Sequence, residues 1–349
     1  MYCPKCRTEN PDQAKFCSAC GAVLTPAPPA PPESPESIMP KTSGLAIAAL
    51  VLGLLSILLG FLTGLPAIIL GIIALVKIEK SGGRITGKGF AVTGIVVPVF
   101  SIALTMLILL PVLSRTRAQA KRAVCSSNLR QLSLAWTIYA DDYDDHITNG
   151  AAGQQRANEL PWTGRDWSLD NSSSQLLTES EQIQAIKSGA LWRYCPYEKI
   201  YRCPTGLSEH LRTYSIVDSM NGIAREGTEE EQGVYIKRRT QIRQPASRIV
   251  FIDTGCAIPE TYAVYYNQQK WWDQPPVRHD DGTTVSFADG HSEYWRWMGK
   301  ETIEHGKTAA GIYNPNAIDH WSPQTPTDIE DLHKTQRGTW GRLGYYLSY

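Results

Sequence analysis

The chain divides sharply between long apolar runs and mixed, turn-rich sequence. From Gly44 to Ile78 it is apolar for 35 residues, with no charge before Lys77. That exceeds the roughly 20 residues a helix needs to cross a bilayer once. Thr63-Gly64-Leu65-Pro66 interrupts the run, and glycine and proline mark turns. The pattern predicts a helical hairpin over about 44–62 and 65–78. The second arm is short, so one long tilted helix or a re-entrant segment stays open as an alternative. Lys77, Lys80, Arg84 and Lys88 then form a basic loop against Glu79, and Phe90 to Leu113 is a further apolar run of 24 residues.

Past Leu113 the pattern changes. Val124, Leu129, Leu132, Ala135, Trp136 and Tyr139 recur mostly at three and four, which predicts a helix with an apolar stripe that a sheet could cover. Pro111 is expected to kink the helix near its exit from the apolar run. Arg248 to Asp253 reads as a buried strand. Thr283 to Phe287 alternates as a strand, Asp289-Gly290 is a hairpin turn, and Ser292 to Trp297 returns. All ten tryptophans lie after Leu113. Residues 114–349 therefore read as an α+β domain with a long N-terminal helix and an antiparallel sheet.

Charge and cysteine change the picture at the N-terminus. Thirty-four basic against 34 acidic residues argue against nucleic acid as the main partner, because phosphate binding needs a basic excess. Four of the eight cysteines lie within residues 1–24, as Cys3-x2-Cys6 and Cys17-x2-Cys20. Two such knuckles place four thiolates around a closed tetrahedral Zn²⁺ site, structural rather than catalytic. Disulfides are the alternative use of these cysteines. So short a segment cannot bury a useful core, so the metal would supply its folding energy. Thiolate zinc favours a reducing compartment. A Pro- and Ser-rich linker, 25–43, separates this ribbon from the apolar segment 44–113. The basic loop at 77–89 favours the cytoplasmic side. The N-terminus is then cytoplasmic and the C-terminal domain extracytoplasmic, although Arg115, Arg117, Lys121 and Arg122 pull the other way.

Three resemblances cover most of the chain. MYCPKCRTENPDQAKFCSACGAVL resembles the short zinc ribbons at the front of many bacterial membrane proteins. Residues 44–105, with KIEKSGGRITGKG followed by GFAVTGIV, resemble a small bacterial membrane domain of unknown function (DUF4190-like). LILLPVLSRTRAQAKRAVCSSNLRQLSLAWTIYADDYDD, LWRYCPYEKIYRCPTG, RQPASRIVFIDTG and RHDDGTTVSFADGHSEYWRW resemble the pseudopilin-like, prepilin-processing-associated family with its His-x9-Asp-Gly signature. Here that signature is His279, Asp289 and Gly290. The resemblance implies a processing junction at Gly89-Phe90, ahead of an apolar helix. Gly94 stands where the family has a glutamate, Ala91 where it has a threonine, and about 89 residues precede the junction instead of a short leader. The other reading is a fusion in which a membrane anchor replaces the pilin helix and is never cut.

His279, Asp289 and Gly290 are expected to be structural, with Asp289 fixing the turn and His279 bonding a neighbouring loop. The competing reading is a metal or ligand site of His279, Asp280, Asp281, Asp289 and His291. No GxSxG, HExxH or P-loop motif is present, so no catalytic residue is assigned. YADDYDD reads as a solvated acidic helix end, with Ca²⁺ as the alternative. In an oxidising envelope Cys195 and Cys203 are a candidate disulfide, whereas Cys125 and Cys256 have no evident partner; in a reducing compartment all four are buried thiols. The expectation is a non-enzymatic, pseudopilin-like protein of the bacterial inner membrane. Its role is structural or interactive, linked to type II secretion or type IV pilus-like assembly. Its partners are other pilin-like subunits and, through the ribbon, a cytoplasmic protein. The alternative is a membrane-tethered sensor or ligand-binding module with the ribbon as its cytoplasmic interaction domain.

Overall fold

The computed structural model of the protein describes residues 1–24, 41–156, 159–170, 173–223, 234–258, 260–309 and 320–346. The linker 25–43 lies outside the described residues up to position 40. The chain forms two compact units, Met1–Ile108 and Leu109–Tyr349.

In the first unit each CxxC knuckle is a small hairpin. Tyr2 bridges Glu9 and Phe16 bridges Val23, both antiparallel. The residue after each second cysteine turns into the left-handed region, Arg7 at φ 59° and Gly21 at φ 71°. Its N–H then closes the turn on the carbonyl of the first cysteine, Arg7 to Cys3 and Gly21 to Cys17. Glycine adopts this conformation freely, and arginine tolerates it less well.

Strand β1 (Lys41–Thr42) leads into α1 (Gly44–Leu59). Helix α2 spans Phe61–Lys80, β2 is Ile85–Thr86, and α3 runs from Lys88 to Asp142. The hairpin turn falls at Gly60, with φ at 59°, and not at Thr63 to Pro66. Pro66 sits inside α2. At the sixth position of the helix it leaves the Leu62 carbonyl without the N–H that another residue would donate there. Strands β1 and β2 pair in parallel, and Ser43 N–H donates to the Thr86 carbonyl, which ties the start of α1 to the start of α3.

Small residues line the buried faces of these helices. They are Ala46, Ala49, Gly53 and Ser56 in α1, and Gly64, Ala67, Gly71 and Ala74 in α2. The spacing is three-four-three in both, one stripe along each helix. At Gly94 a Cβ would stand 2.7 Å from the Ala49 carbonyl carbon, and at Gly71 it would stand 3.0 Å from the Ala91 carbonyl oxygen. α1 and α2 thus approach α3 backbone to backbone, and Ser101 Oγ donates to the Ser56 carbonyl at 2.9 Å. The large side chains Leu58, Leu62, Phe100 and Leu107 are exposed. Among the described residues two helices, α2 and α3, are long and apolar enough to span a membrane; α1 is shorter, at 16 residues.

In the second unit α3 continues unbroken through Pro111. Its buried stripe is Cys125, Leu129, Leu132, Ala135, Trp136, Tyr139 and Ala140. Val124, expected in that stripe, is exposed, and Cys125 takes the inward position. Strands β3 (Trp167–Asp170) and β4 (Ser173–Leu176) form an antiparallel pair, followed by α4 (Glu179–Ser188). The main sheet is antiparallel throughout, in the order β5 (Tyr214–Ile216), β6 (Ile249–Asp253), β7 (Gly282–Phe287), β8 (Ser292–Arg296). Helices α5 (Lys300–Ala309) and α6 (Pro326–Trp340) follow.

The strands read at Arg248 to Asp253 and on either side of Asp289-Gly290 are β6, β7 and β8. Strand β7 is buried on both faces rather than alternating, because it is central and covered twice. On one face Ser133 of α3 bonds Ser286 at 2.7 Å, and Ser126 of α3 accepts from Ser292. On the other, Gly338 of α6 meets Ile249 and Trp295 so closely that a Cβ would stand 2.6 Å from the Ile249 Cδ1.

Candidate functional site

Two groups of four donor side chains converge, one in each unit. The first is Cys3, Cys6, Cys17 and Cys20. Their sulfurs all lie within 4.8 Å of one another, with Cys3 to Cys20 at 3.6 Å and Cys6 to Cys17 at 3.5 Å. Four sulfurs at about 2.3 Å from a tetrahedral zinc stand about 3.8 Å apart, so the set fits the ion. Backbone N–H groups of Cys20 and Ala19 aim at the Cys17 sulfur and hold its pKa down to about 6. Asn10 donates to the same sulfur at 3.6 Å, and Lys5 N–H donates to Cys3 at 3.4 Å. These donors stabilise thiolates, the form that binds metal. The N-terminal ribbon binds Zn²⁺ through these four cysteines, and with all four positions filled by protein the site is structural.

The second group comes from four separate places in the C-terminal unit. Cys125 is on the inward stripe of α3. Cys203 follows the short 3-10 turn at Glu198–Tyr201, its N–H held by Thr213 Oγ1 at 2.7 Å. Asp253 ends β6, where Gly255 N–H donates to its Oδ1 at 3.0 Å. His279 precedes β7 in the left-handed region, φ 49°, and its carbonyl accepts from Tyr294 OH at 2.8 Å.

All four side chains are buried, and their donor atoms lie within 4.8 Å of one another. Cys203 Sγ is 3.1 Å from His279 Nε2, Cys125 Sγ is 3.2 Å from Asp253 Oδ2, and His279 Nε2 is 3.5 Å from Asp253 Oδ2. Tyr214 OH donates to the Cys125 sulfur at 3.4 Å, and Thr205 N–H to the Cys203 sulfur at 3.4 Å.

The charges are interdependent. The contact with Cys125 lowers the Cys203 pKa to about 6 against the effect of burial, and His279 adds to that lowering. Burial pushes His279 down, but its bonds to Asp253 and Cys203 carry it up to about 9. Burial raises the Cys125 thiol strongly. These contacts bias Cys203 toward the thiolate and His279 toward the imidazolium.

This is not a nucleophile-base-orienter relay. A relay uses one imidazole nitrogen for the nucleophile and the other for the carboxylate. Here Cys203 and Asp253 both face Nε2, while the buried Nδ1 has no hydrogen-bond partner among the described residues.

The other expected groupings do not form as drawn. Asp289 is at the β7–β8 turn, where its carboxylate bonds His291 Nδ1 at 2.5 Å and His291 N–H at 3.1 Å. Its role there is to fix the turn. Gly290, at φ 92°, supplies the left-handed residue of that turn. Asp281 pairs with Lys307. His279, Asp280, Asp281, Asp289 and His291 thus form no common site, because the polypeptide turns His279 inward and the hairpin tip outward. Cys195 and Cys203 are both free thiols, and the Cys203 sulfur faces Cys125 and His279 instead of Cys195. Cys125, without an evident partner in the sequence, is the cysteine brought to it. The acidic run is used within the protein. Arg239 pairs with Asp141 and Asp145, Thr240 N–H donates to Asp145, and Tyr194 donates to Asp142. Gly89 and Phe90 lie in the first turn of α3, and Phe90 is exposed.

Residues 2–24 match the family model of a zinc-ribbon domain, and residues 45–108 match that of a domain of unknown function (DUF4190). Neither model extends past Ile108, so the pseudopilin resemblance of the C-terminal domain gains no support from them. No curated protein matches the chain, and no solved structure does.

Proposed function

We propose that this chain is a non-enzymatic, pseudopilin-like protein anchored in the bacterial inner membrane, with its ribbon in the cytoplasm and its C-terminal domain outside. Its role is structural or interactive, in a secretion or pilus-like assembly, and the ribbon recruits a cytoplasmic protein. One observation carries the reading. Helix α3, Lys88–Asp142, begins as an apolar helix and ends as the amphipathic helix of an α+β domain, without a break between. That is the organisation the pseudopilin resemblance implies.

The anchor is not cut at Gly89-Phe90. What supports this is that the first turns of α3 pack tightly on α1 and α2, Ala49 against Gly94 and Gly71 against Ala91, as parts of one helical unit would. The exposed apolar side of α3, including Leu107, is then free to meet lipid or a neighbouring helix.

A photo-crosslinking residue at Leu107, introduced in the full chain in its own membranes, tests this. Adducts to a second copy or to another pilin-type subunit are expected. Adducts to lipid alone would reduce α3 to an anchor and remove the assembly role.

A further inference from the structure

We propose that Cys125, Cys203, Asp253 and His279 form a second metal site, closed and structural, that takes a zinc-class divalent cation. The four donor atoms converge. Nε2, one carboxylate oxygen and two sulfurs lie within 4.8 Å of one another, and three of the pairs are at 3.1, 3.2 and 3.5 Å. Ligands at about 2.0–2.3 Å from a tetrahedral zinc stand about 3.3–3.8 Å apart, so small adjustments seat the ion. The ribbon, whose metal is not in question, has sulfur pairs at 3.5 and 3.6 Å.

The donor chemistry selects the ion. Two thiolates and an imidazole suit a borderline-soft cation, and hard Mg²⁺ or Ca²⁺ prefers an all-oxygen shell. Burial strengthens the case. Asp253 is fully buried, and no lysine or arginine is among its bonded partners, which are Cys125, His279 and the Gly255 N–H. A buried carboxylate beside two sulfurs is costly unless positive charge compensates it, and His279 supplies at most one charge against three potential anions. A divalent ion does so by displacing the Cys125 and His279 protons to solvent, which leaves His279 neutral and both sulfurs as thiolates. The outer shell is also in place, since Tyr214 OH and Thr205 N–H aim at the two sulfurs and offset the remaining negative charge.

No open coordination position remains, so the site does not activate water. Its function is to fasten four segments distant in the chain: α3, the loop after Tyr201, the end of β6 and the entry to β7. On this account the histidine of the His-x9-Asp-Gly signature is a ligand, and its Asp-Gly end builds the turn.

The test uses the full chain in detergent with Cys3, Cys6, Cys17 and Cys20 replaced by serine, so that the ribbon contributes no metal. After equilibration with zinc ion and removal of excess, one zinc per chain is expected, against two in the unmodified protein. X-ray absorption at the zinc edge should give a shell of two sulfurs and two nitrogen or oxygen atoms. Tyr214→Phe, which keeps the ligands and the packing, should lose zinc to a competing chelator at about tenfold lower chelator concentration. A ribbon-free chain that binds no zinc overturns the proposal. So does a Cys125–Cys203 disulfide, seen as a loss of two hydrogens and no alkylation of either residue, or a zinc shell without sulfur.

Discussion

In α1 and α2 the buried residues are alanine, glycine and serine, and leucine, valine and phenylalanine face outward. In the C-terminal domain the largest fully buried side chains are Trp136, Trp162, Trp271 and Trp297, and polar groups cover the outside. The two units invert each other. In water, burying large apolar area drives folding, so the large residues go inside. In lipid that driving force is absent between helices, and close packing of small residues takes its place. The inversion is what helices surrounded by lipid and a domain surrounded by water would each show, and it supports the proposed anchor role of α1, α2 and the start of α3.

The largest effect belongs to the ribbon, which obeys neither rule. Replacing Cys3, Cys6, Cys17 and Cys20 by serine removes a binding energy on the order of 10–16 kcal/mol, and residues 1–24 should lose their fold. Proteolysis confined to that segment would register it, with the helices and C-terminal domain unchanged.

Within the two main units, substitutions of opposite sense should do damage. Trp136→Ala empties a core site and should cost about 3–5 kcal/mol in denaturant unfolding of the C-terminal domain. Gly94→Leu fills space that Ala49 backbone occupies. It should destabilise the helical unit by about 3 kcal/mol or disrupt its packing, measured by helix cross-linking in membranes. Leu58→Ala, at a side chain 82% exposed, should leave that packing unchanged if lipid surrounds it. A large loss for Leu58→Ala with little for Gly94→Leu would break the comparison.

A smaller effect lies at α4. The Glu181 carboxylate accepts from Thr178 N–H at 2.9 Å and from its hydroxyl at 2.6 Å. Thr178→Ala should cost about 1 kcal/mol. The same bonds hold Glu181 below the usual carboxylate range. A depressed folded-state pKa gives stability that is present above the unfolded value and lost as pH falls through the folded one. An acid titration of stability should therefore be shallower in Thr178→Ala than in the parent.

The parts legible in the sequence are those whose signals are local. Cys3-x2-Cys6 and Cys17-x2-Cys20 specify their own turns and ligand spacing. Asp289-Gly290 between two β-rich runs specifies a hairpin, and Ile249–Asp253 is continuous and apolar enough to read as a buried strand. The hairpin turn in the helical unit is less legible, because Gly60 carries no stronger signal than Gly64-Leu65-Pro66 nearby. The buried four-donor cluster is not legible at all. Its residues come from positions 125, 203, 253 and 279, and each has an ordinary local reading. Only the sheet register, Tyr214 opposite Asp253, and the packing of α3 bring them together. A histidine in the left-handed region just before a strand is the one local oddity, and its φ cannot be read from sequence.

On the proposed function, ribbon, anchor and C-terminal domain work as one uncut molecule. The most direct test is the mass of the membrane-bound protein in its own cells, detected through the C-terminal domain. The prediction is a species that still carries the ribbon and residues 1–89. A shorter species beginning at Phe90 would contradict it, and would make residues 1–89 a leader removed during maturation.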